Sequence, residues 1–164
     1  MKTLILIRHA KSDWSDFNAR DFDRELNTRG QHDAPLMGRK LAARDIHPDA
    51  FIVSTARRAQ ATARLIIPAL GFPETDIQWK DELYLSSPAT MKSMIRQTPD
   101  HVQTLALVAH NPGITELVNQ LANADISNVP TCGVITLQLP VDHWAEVWNN
   151  ARLLDFDYPK RMAA

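Results

Sequence analysis

Short apolar runs alternate with amphipathic patterns over most of the chain. Each run is short and nearly continuous, as in strands that are buried on both faces. The predicted strands cover residues 1–7, 50–53, 77–79 and 104–109. The predicted helices follow Asn27, Ser54, Ser87 and the turn at residues 110–113. Strands that alternate with helices favour an α/β fold, a three-layer α/β/α sandwich around a mostly parallel sheet.

Two late segments complete the predicted sheet. Val134–Leu139 and residues 144–148 both alternate between apolar and polar positions, which is typical of strands. We expect them to form a hairpin, with Trp144 and Trp148 packing on one face. The sheet should therefore be mixed.

Polar residues mark the starts of the predicted helices. Asn27 and Ser54 are expected to cap the first two helices, and Ser87, which precedes a proline, the third. Pro35 lies inside the first helical pattern and predicts a kink or a lost hydrogen bond. Residues 12–25 are polar with scattered aromatic residues and no clear period, so we expect a long loop with a functional role.

Composition limits the classes of function. The 164 residues fit one domain, over 1–164, with a formal net charge of -1, which gives no support for a nucleic acid or membrane partner. A single cysteine, Cys132, excludes an intramolecular disulfide and favours a reducing compartment. The longest apolar run near the N-terminus is too short for a signal peptide, so we expect a cytoplasmic protein.

Histidines and arginines follow the predicted strands at one edge of the sheet. Arg8 and His9 end the first strand, Arg58 follows the second, and His110 follows the fourth. Ligands bind beyond the carboxyl ends of such strands. Arginine offers a planar set of donors that matches phosphate oxygens, and a neutral imidazole can attack phosphorus. This edge is therefore a candidate site for phosphoryl transfer.

Four segments, in the expected order, resemble the motifs of one family. Arg8-His9-Ala10 is similar to an Arg-His-Gly signature, and residues 23–30 to a Leu-Thr-x-x-Gly segment. Residues 54–62 resemble a Ser-Pro-x-x-Arg-Ala-x-x-Thr stretch, and residues 108–113 a Gly-His-Asn-Pro turn. The chain thus resembles the histidine phosphatase superfamily, with its phosphoglycerate mutase-like fold, and within it the SixA-type phosphohistidine phosphatases. Residues 153–160 also resemble the C-terminal part of that branch.

The resemblance implies the roles of the site residues. His9 would be the phosphorylated nucleophile, Arg8 and Arg58 would hold the phosphate, and His110 would complete the pocket. It implies no cofactor. We see no spacing of histidines and carboxylates typical of a metal site, so we expect none.

Other polar residues near these motifs have two interpretations. Asn111 either binds phosphate or holds the turn, and Ser12 either binds phosphate or lies in a solvated loop, as does Lys11. We include Asn111 and Ser12 among the candidate phosphate-binding residues. Arg57 should point away from Arg58 on a helix and is interpreted as a surface residue.

The sequence departs from the family pattern at the expected proton donor. Mutase-like relatives place a glutamate after the third strand, whereas this chain has Asp81 and Glu82 in a different context, and neither can be assigned. Three aspartates of the first loop could substitute. They are Asp16, Asp21 and Asp23.

The resulting prediction is a phosphatase that acts on phosphohistidine, or a related phosphomonoester, through a phosphate on His9. Its substrate would be a phosphorylated histidine protein or a small phosphate ester. A small-molecule phosphatase of the same superfamily and a non-catalytic phosphate-binding regulatory module are the alternatives.

Overall fold

A computed structural model of the protein describes residues 1–161 and contains, within them, six strands and four α-helices. The strands β1 to β6 are Lys2–Arg8, Ala50–Ser54, Gln78–Lys80, Thr104–Ala109, Val134–Leu139 and Arg152–Asp157. The helices α1 to α4 are Thr28–Ala43, Arg57–Leu70, Pro88–Arg96 and Gly113–Ala122. Strands and helices alternate as far as β5, as the apolar pattern predicts.

The six strands form one mixed sheet in the order β3-β2-β4-β1-β5-β6. Strands β3, β2, β4 and β1 are parallel, whereas β5 is antiparallel to both of its neighbours. The order places β4 between β2 and β1. The carboxyl ends of these three central strands therefore lie side by side, and the predicted mostly parallel sheet is confirmed.

Apolar layers on both faces bury the sheet. Alternate residues of β1 divide between them: Ile5 and Ile7 pack with the first helix pair, which contributes Met37 and Ile66. Leu4 and Leu6 face a second core that is built with α3 and α4. Two cores on opposite faces of one sheet define the predicted α/β/α sandwich.

The predicted strand at residues 144–148 is wrong. These residues lie mainly in a 3₁₀ turn, Trp144–Glu146, and the final strand begins later, at Arg152. Trp144 is fully buried and Val147 nearly so, which is a spacing of three that suits a 3₁₀ turn rather than a strand. Trp148 is 61% exposed, so the two tryptophans do not share a face.

Two of the predicted helix caps are confirmed. The side chain of Asn27 accepts a hydrogen bond from the backbone N–H of Gly30, and that of Ser87 from Thr90. Ser54 is not a cap: α2 begins at Arg57, after Ala56, and Ser54 is the last residue of β2. Helix α1 continues through Pro35.

No helix within residues 1–161 is sufficiently long and apolar to span a membrane.

Candidate active site

The ends of β1, β4 and β2 bring the two predicted histidines together. His9 follows β1 and His110 follows β4, and their ring centroids are 5.1 Å apart. Both side chains are buried. The backbone N–H of His9 donates to the carbonyl of Ala109 (3.1 Å), which ties the first motif to the adjacent strand. The juxtaposition follows directly from the strand order.

The hydrogen bonds of His9 determine which ring nitrogen is available. Its Nδ1 lies 2.7 Å from the carbonyl oxygen of Ala10. Because a carbonyl oxygen only accepts, Nδ1 must carry the proton of the neutral ring. The lone pair is then on Nε2, which accepts a hydrogen bond from the Nε of Arg58 at 3.3 Å. Nε2 is therefore the nitrogen with the lone pair, which is buried and directed toward Arg58.

Arg58 enters the site from the first turn of α2. Its side chain is 5% exposed, and besides its Nε contact with His9 it donates from Nη1 to the carbonyl of Asp21 (2.7 Å). The neighbouring Arg57 points outward, and its side chain is 61% exposed and pairs with Glu25 at 2.8 Å. The structure thus agrees with the interpretation of Arg57 as a surface residue.

Two buried nitrogen atoms in the site have no hydrogen-bond partner among the described residues, one on Arg8 and one on His110. Arg8 donates from Nη1 to the carbonyl of Val129 (2.9 Å), and His110 Nε2 lies 2.7 Å from the hydroxyl oxygen of Ser54. Arg8 Nε and His110 Nδ1 are buried and have no hydrogen-bond partner among the described residues. Buried polar atoms are rarely left unpaired, so an acceptor such as a phosphate oxygen fits here.

Both histidines are held in the neutral form. Burial lowers the pKa of His9 to about 4, and the charges of Arg58 and Arg8 act in the same direction. Burial, His9 and Arg58 lower the pKa of His110 to about 3. The arginines were expected to disfavour the imidazolium, but burial is the larger cause. A neutral His9 is the form that can act as a nucleophile.

The loop between β1 and α1 contributes Asp21, one of the three loop aspartates that the sequence named and could not distinguish. Asp21, at the start of a 3₁₀ turn, accepts a hydrogen bond from Arg58 Nη2 (3.1 Å) and one from the hydroxyl of Tyr84. The Tyr84 ring also packs edge-on against His110, with centroids 5.6 Å apart. Asp21, Tyr84 and Ser54 therefore belong to the site. The signal for Ser54 was its place at a strand end, and the signal for Asp21 was its place in a long loop that was expected to be functional.

The remaining candidate carboxylates lie elsewhere. Asp81 accepts a hydrogen bond from the hydroxyl of Thr55 (2.5 Å), and Glu82 lines a separate cavity with Gln78. Asp16 accepts a bond from a backbone N–H within the loop, and Asp23 is an exposed partner of a loop arginine.

The two open phosphate-binding assignments differ in their surroundings. Asn111 holds the turn: its amide donates to the carbonyl of Val129 (3.0 Å) and its oxygen accepts from the hydroxyl of Thr115 (2.9 Å). Ser12 is buried at the base of the loop, where it pairs with Leu26 in an isolated β-bridge. A role of either residue in phosphate binding stays a prediction.

Gly30 allows the start of α1 to pack against the backbone that follows His9. A Cβ on Gly30 would lie 2.3 Å from the carbonyl oxygen of Lys11, closer than any real contact. Only glycine lets the start of α1 approach the segment after His9 this closely. The glycine of the second motif is therefore a packing requirement of the site.

In the part of the chain that the structure describes, no three histidine, cysteine or carboxylate side chains are grouped so that they could hold a metal ion.

Comparison with known proteins identifies the class that this fold and site define. The family model of the histidine phosphatase superfamily (branch 1) matches residues 4–84. A candidate phosphohistidine phosphatase SixA from Agrobacterium tumefaciens is 31% identical, with a TM-score of 0.84 over 96% of this chain and 98% of that chain. The chain belongs to the histidine phosphatase superfamily.

Two further relatives span nearly the whole chain. An uncharacterised protein of Mycobacterium tuberculosis is 33% identical over 94% of this chain and 100% of its own length. The protein histidine phosphatase SixA complexed with tungstate has a TM-score of 0.82 over 96% of this chain and 97% of that chain, at 19% identity. The latter likeness concerns the fold.

Proposed function

We propose that this chain hydrolyses phosphohistidine, or a closely related phosphate, through a covalent phosphate on Nε2 of His9. The observation that carries the proposal is the pair of hydrogen bonds that the ring of His9 makes. Its Nδ1 donates to a carbonyl oxygen, so that the Nε2 lone pair faces the Arg58 guanidinium in a buried pocket.

In the first step, Nε2 of His9 attacks phosphorus in line with the leaving group. A bond forms between nitrogen and phosphorus, and the bond to the leaving group breaks with its electron pair. Arg58 Nε, which donates to His9 Nε2 in the free site, turns its hydrogen to a phosphoryl oxygen. Arg8 Nε and, in the tautomer protonated at Nδ1, His110 donate to the other oxygens. Donors held ready in a buried site stabilise the charge of the transition state.

In the second step, water attacks the phosphorus of the phosphohistidine intermediate and releases inorganic phosphate. His9 leaves as a neutral imidazole, the form that its buried position favours. The donors that stabilise the first transition state serve the second equally, because the same oxygens carry the charge. Division of one difficult displacement into two easier ones is the advantage of covalent catalysis.

The substrate class follows from the carboxylates. Asp21 lies in the site but is paired with Arg58, and Asp81 and Glu82 have other surroundings. A positioned acid that protonates an alkoxide contributes about 10²–10⁴-fold to cleavage of an alkyl phosphate. Phosphohistidine needs less help, because its imidazole can enter already protonated. The site therefore suits phosphohistidine, with a phosphorylated histidine protein as the substrate.

The test is kcat/KM across phosphates of graded leaving-group pKa, together with a phosphorylated histidine protein. We expect turnover of the phosphoprotein and of p-nitrophenyl phosphate, and much slower turnover of glycerol phosphate. Equal rates for aryl and alkyl phosphates would contradict the substrate class and favour a small-molecule phosphatase. Oxyanion binding without turnover of any substrate would instead indicate a non-catalytic binding module.

A further inference from the structure

Asp21 holds the two terminal nitrogens of Arg58, whereas His9 receives the third. The guanidinium donates from Nη1 to the backbone carbonyl of Asp21 (2.7 Å) and from Nη2 to its carboxylate (3.1 Å). The third nitrogen, Nε, is directed at His9. Asp21 thus binds the two terminal nitrogens of a rigid planar group, and its position determines where the remaining N–H points.

The loop fixes Asp21 in turn. Tyr84 donates its hydroxyl hydrogen to the Asp21 carboxylate, and Phe22 packs edge-on against the Tyr84 ring with centroids 5.0 Å apart. Arg24 bonds the other carboxylate oxygen of Asp21 (3.2 Å) and stacks on Trp14, with its guanidinium carbon 3.3 Å from the ring centroid. The carboxylate is therefore held from both sides.

We propose that Asp21 is a positioning residue for this reaction: together with Tyr84, it keeps the Arg58 guanidinium aligned with His9 so that the arginine is ready for the phosphoryl group. The inference rests on the proposed function and adds a residue to it. A free arginine side chain loses considerable rotamer entropy when it is ordered. Because Asp21 orders Arg58 in the free protein, that loss does not have to occur when substrate binds.

The alternative role, a proton donor, does not fit the surroundings of Asp21. Partial burial raises its pKa, but the hydrogen bond from Tyr84 and the charge of Arg58 outweigh this and hold the pKa of the carboxyl below its usual value. A carboxylate that stays charged at neutral pH has no proton to give. Tyr84 already directs its only hydroxyl hydrogen to Asp21.

Asp21 can affect oxyanion binding in two ways, through its negative charge and through its hold on Arg58, and removal of the carboxylate changes the affinity in opposite directions in the two cases. Removal of a nearby negative charge would by itself strengthen the binding of an anion, because like charges repel. Loss of the aligned arginine would weaken it. Weaker tungstate binding in Asp21→Ala therefore identifies positioning, and an effect of the charge alone cannot produce it.

The experiment is a double-mutant cycle of Asp21→Ala and Arg58→Ala, read by tungstate affinity and by kcat/KM for p-nitrophenyl phosphate. Asp23→Ala is the matched control, since Asp23 lies on the same turn, is exposed and, among residues 1–161, forms an ion pair only with Arg20, at 3.7 Å. We expect Asp21→Ala to lose about tenfold in both quantities. In the Arg58→Ala background it should lose nothing, and Asp23→Ala should match the wild type. Tyr84→Phe should show a smaller loss in the same direction.

Three results would overturn the inference. The first is an equal loss from Asp21→Ala with and without Arg58, and the second is tungstate binding that becomes tighter. The third, seen when glycerol phosphate is assayed beside p-nitrophenyl phosphate, is a loss of kcat/KM confined to glycerol phosphate, which would make Asp21 the proton donor. If Asp21→Ala unfolds, Asp21→Asn replaces it in the cycle. If the wild-type protein binds tungstate but turns over no phosphate, the proposed function fails, while the tungstate affinities still decide the role of Asp21.

Discussion

Replacement of Arg58 by lysine keeps the positive charge but removes the planar set of donors beside His9. Arg58 uses its Nε toward His9 (3.3 Å) and its two terminal nitrogens toward Asp21 (2.7 and 3.1 Å). The single ammonium of lysine cannot occupy both positions. It either stays with Asp21 or approaches the phosphate, and in each case one set of contacts is lost.

The magnitude follows from the contact that is lost. A hydrogen bond to a charged group contributes about 1.5–3 kcal/mol, and about 1.36 kcal/mol corresponds to a tenfold change in rate. Arg58→Lys should therefore lower kcat/KM by about ten- to a hundredfold. Steady-state turnover of p-nitrophenyl phosphate measures the loss, and thermal unfolding checks that the variant is folded.

Arg57→Lys is the matched control. Arg57 is adjacent in sequence and has the same chemistry, but its exposed pair with Glu25 is of a kind that contributes about 0–1 kcal/mol to stability. Its replacement should leave kcat/KM nearly unchanged. Comparable losses at both positions would refute the reasoning, because they would show that the geometry of Arg58 toward His9 is not what the reaction uses.

Three further predictions concern the same site. His9→Ala should abolish turnover and leave the fold intact, and labelled substrate should trap an acid-labile, base-stable phosphate on the wild type; label on serine or aspartate would contradict the nucleophile. Because arginines supply the positive charge, a chelator should leave the rate unchanged and vanadate should inhibit, whereas loss with chelator and recovery with magnesium would show a metal requirement. In the folded protein the pKa values of His9 and His110 are about 4 and about 3, below the value of the unfolded chain. The free energy of unfolding is therefore greatest above about pH 6.5 and falls as the pH decreases. At about pH 5 the decrease is about 2 kcal/mol per histidine. Urea unfolding measured above about pH 6.5 and at about pH 5 should show a smaller decrease in the free energy of unfolding for His110→Asn than for the wild type. An equal decrease in the two proteins would contradict the argument that burial keeps His110 neutral.

The sequence predicted those parts of the fold that local patterns determine. Continuous apolar runs identified β1 and β4, because a strand that is buried on both faces has apolar residues at successive positions along its centre. Asn27 and Ser87 were found as caps because each satisfies backbone donors within its own first turn. The error at Trp144 has the same origin. Over five residues, a strand and a 3₁₀ turn with two buried side chains give similar patterns, and only the surrounding core distinguishes them.

At Ser54 the sequence predicted the strand-to-helix junction correctly and the role of the residue wrongly. Serine at a strand-to-helix junction is a typical cap, and its hydroxyl does accept a hydrogen bond from a backbone N–H, that of Ala56. The helix nevertheless starts later, and the hydroxyl lies 2.7 Å from His110 Nε2. That partner is 56 residues away and follows the neighbouring strand β4, so no local pattern contains it.

Local patterns also could not show which aspartate of the first loop lies in the site. Asp16, Asp21 and Asp23 lie within eight residues of one irregular loop, and nothing in their spacing distinguishes them. In the structure, Asp21 contacts Arg58, 37 residues away, and Tyr84, 63 residues away. Both partners come from other elements, and the loop reaches them because its two ends are joined at Ser12 and Leu26. The sequence could predict that the histidines and arginines lie together, because each comes at or after the end of a strand at one edge of the sheet. A loop residue gains its contacts only when tertiary packing brings a partner to it.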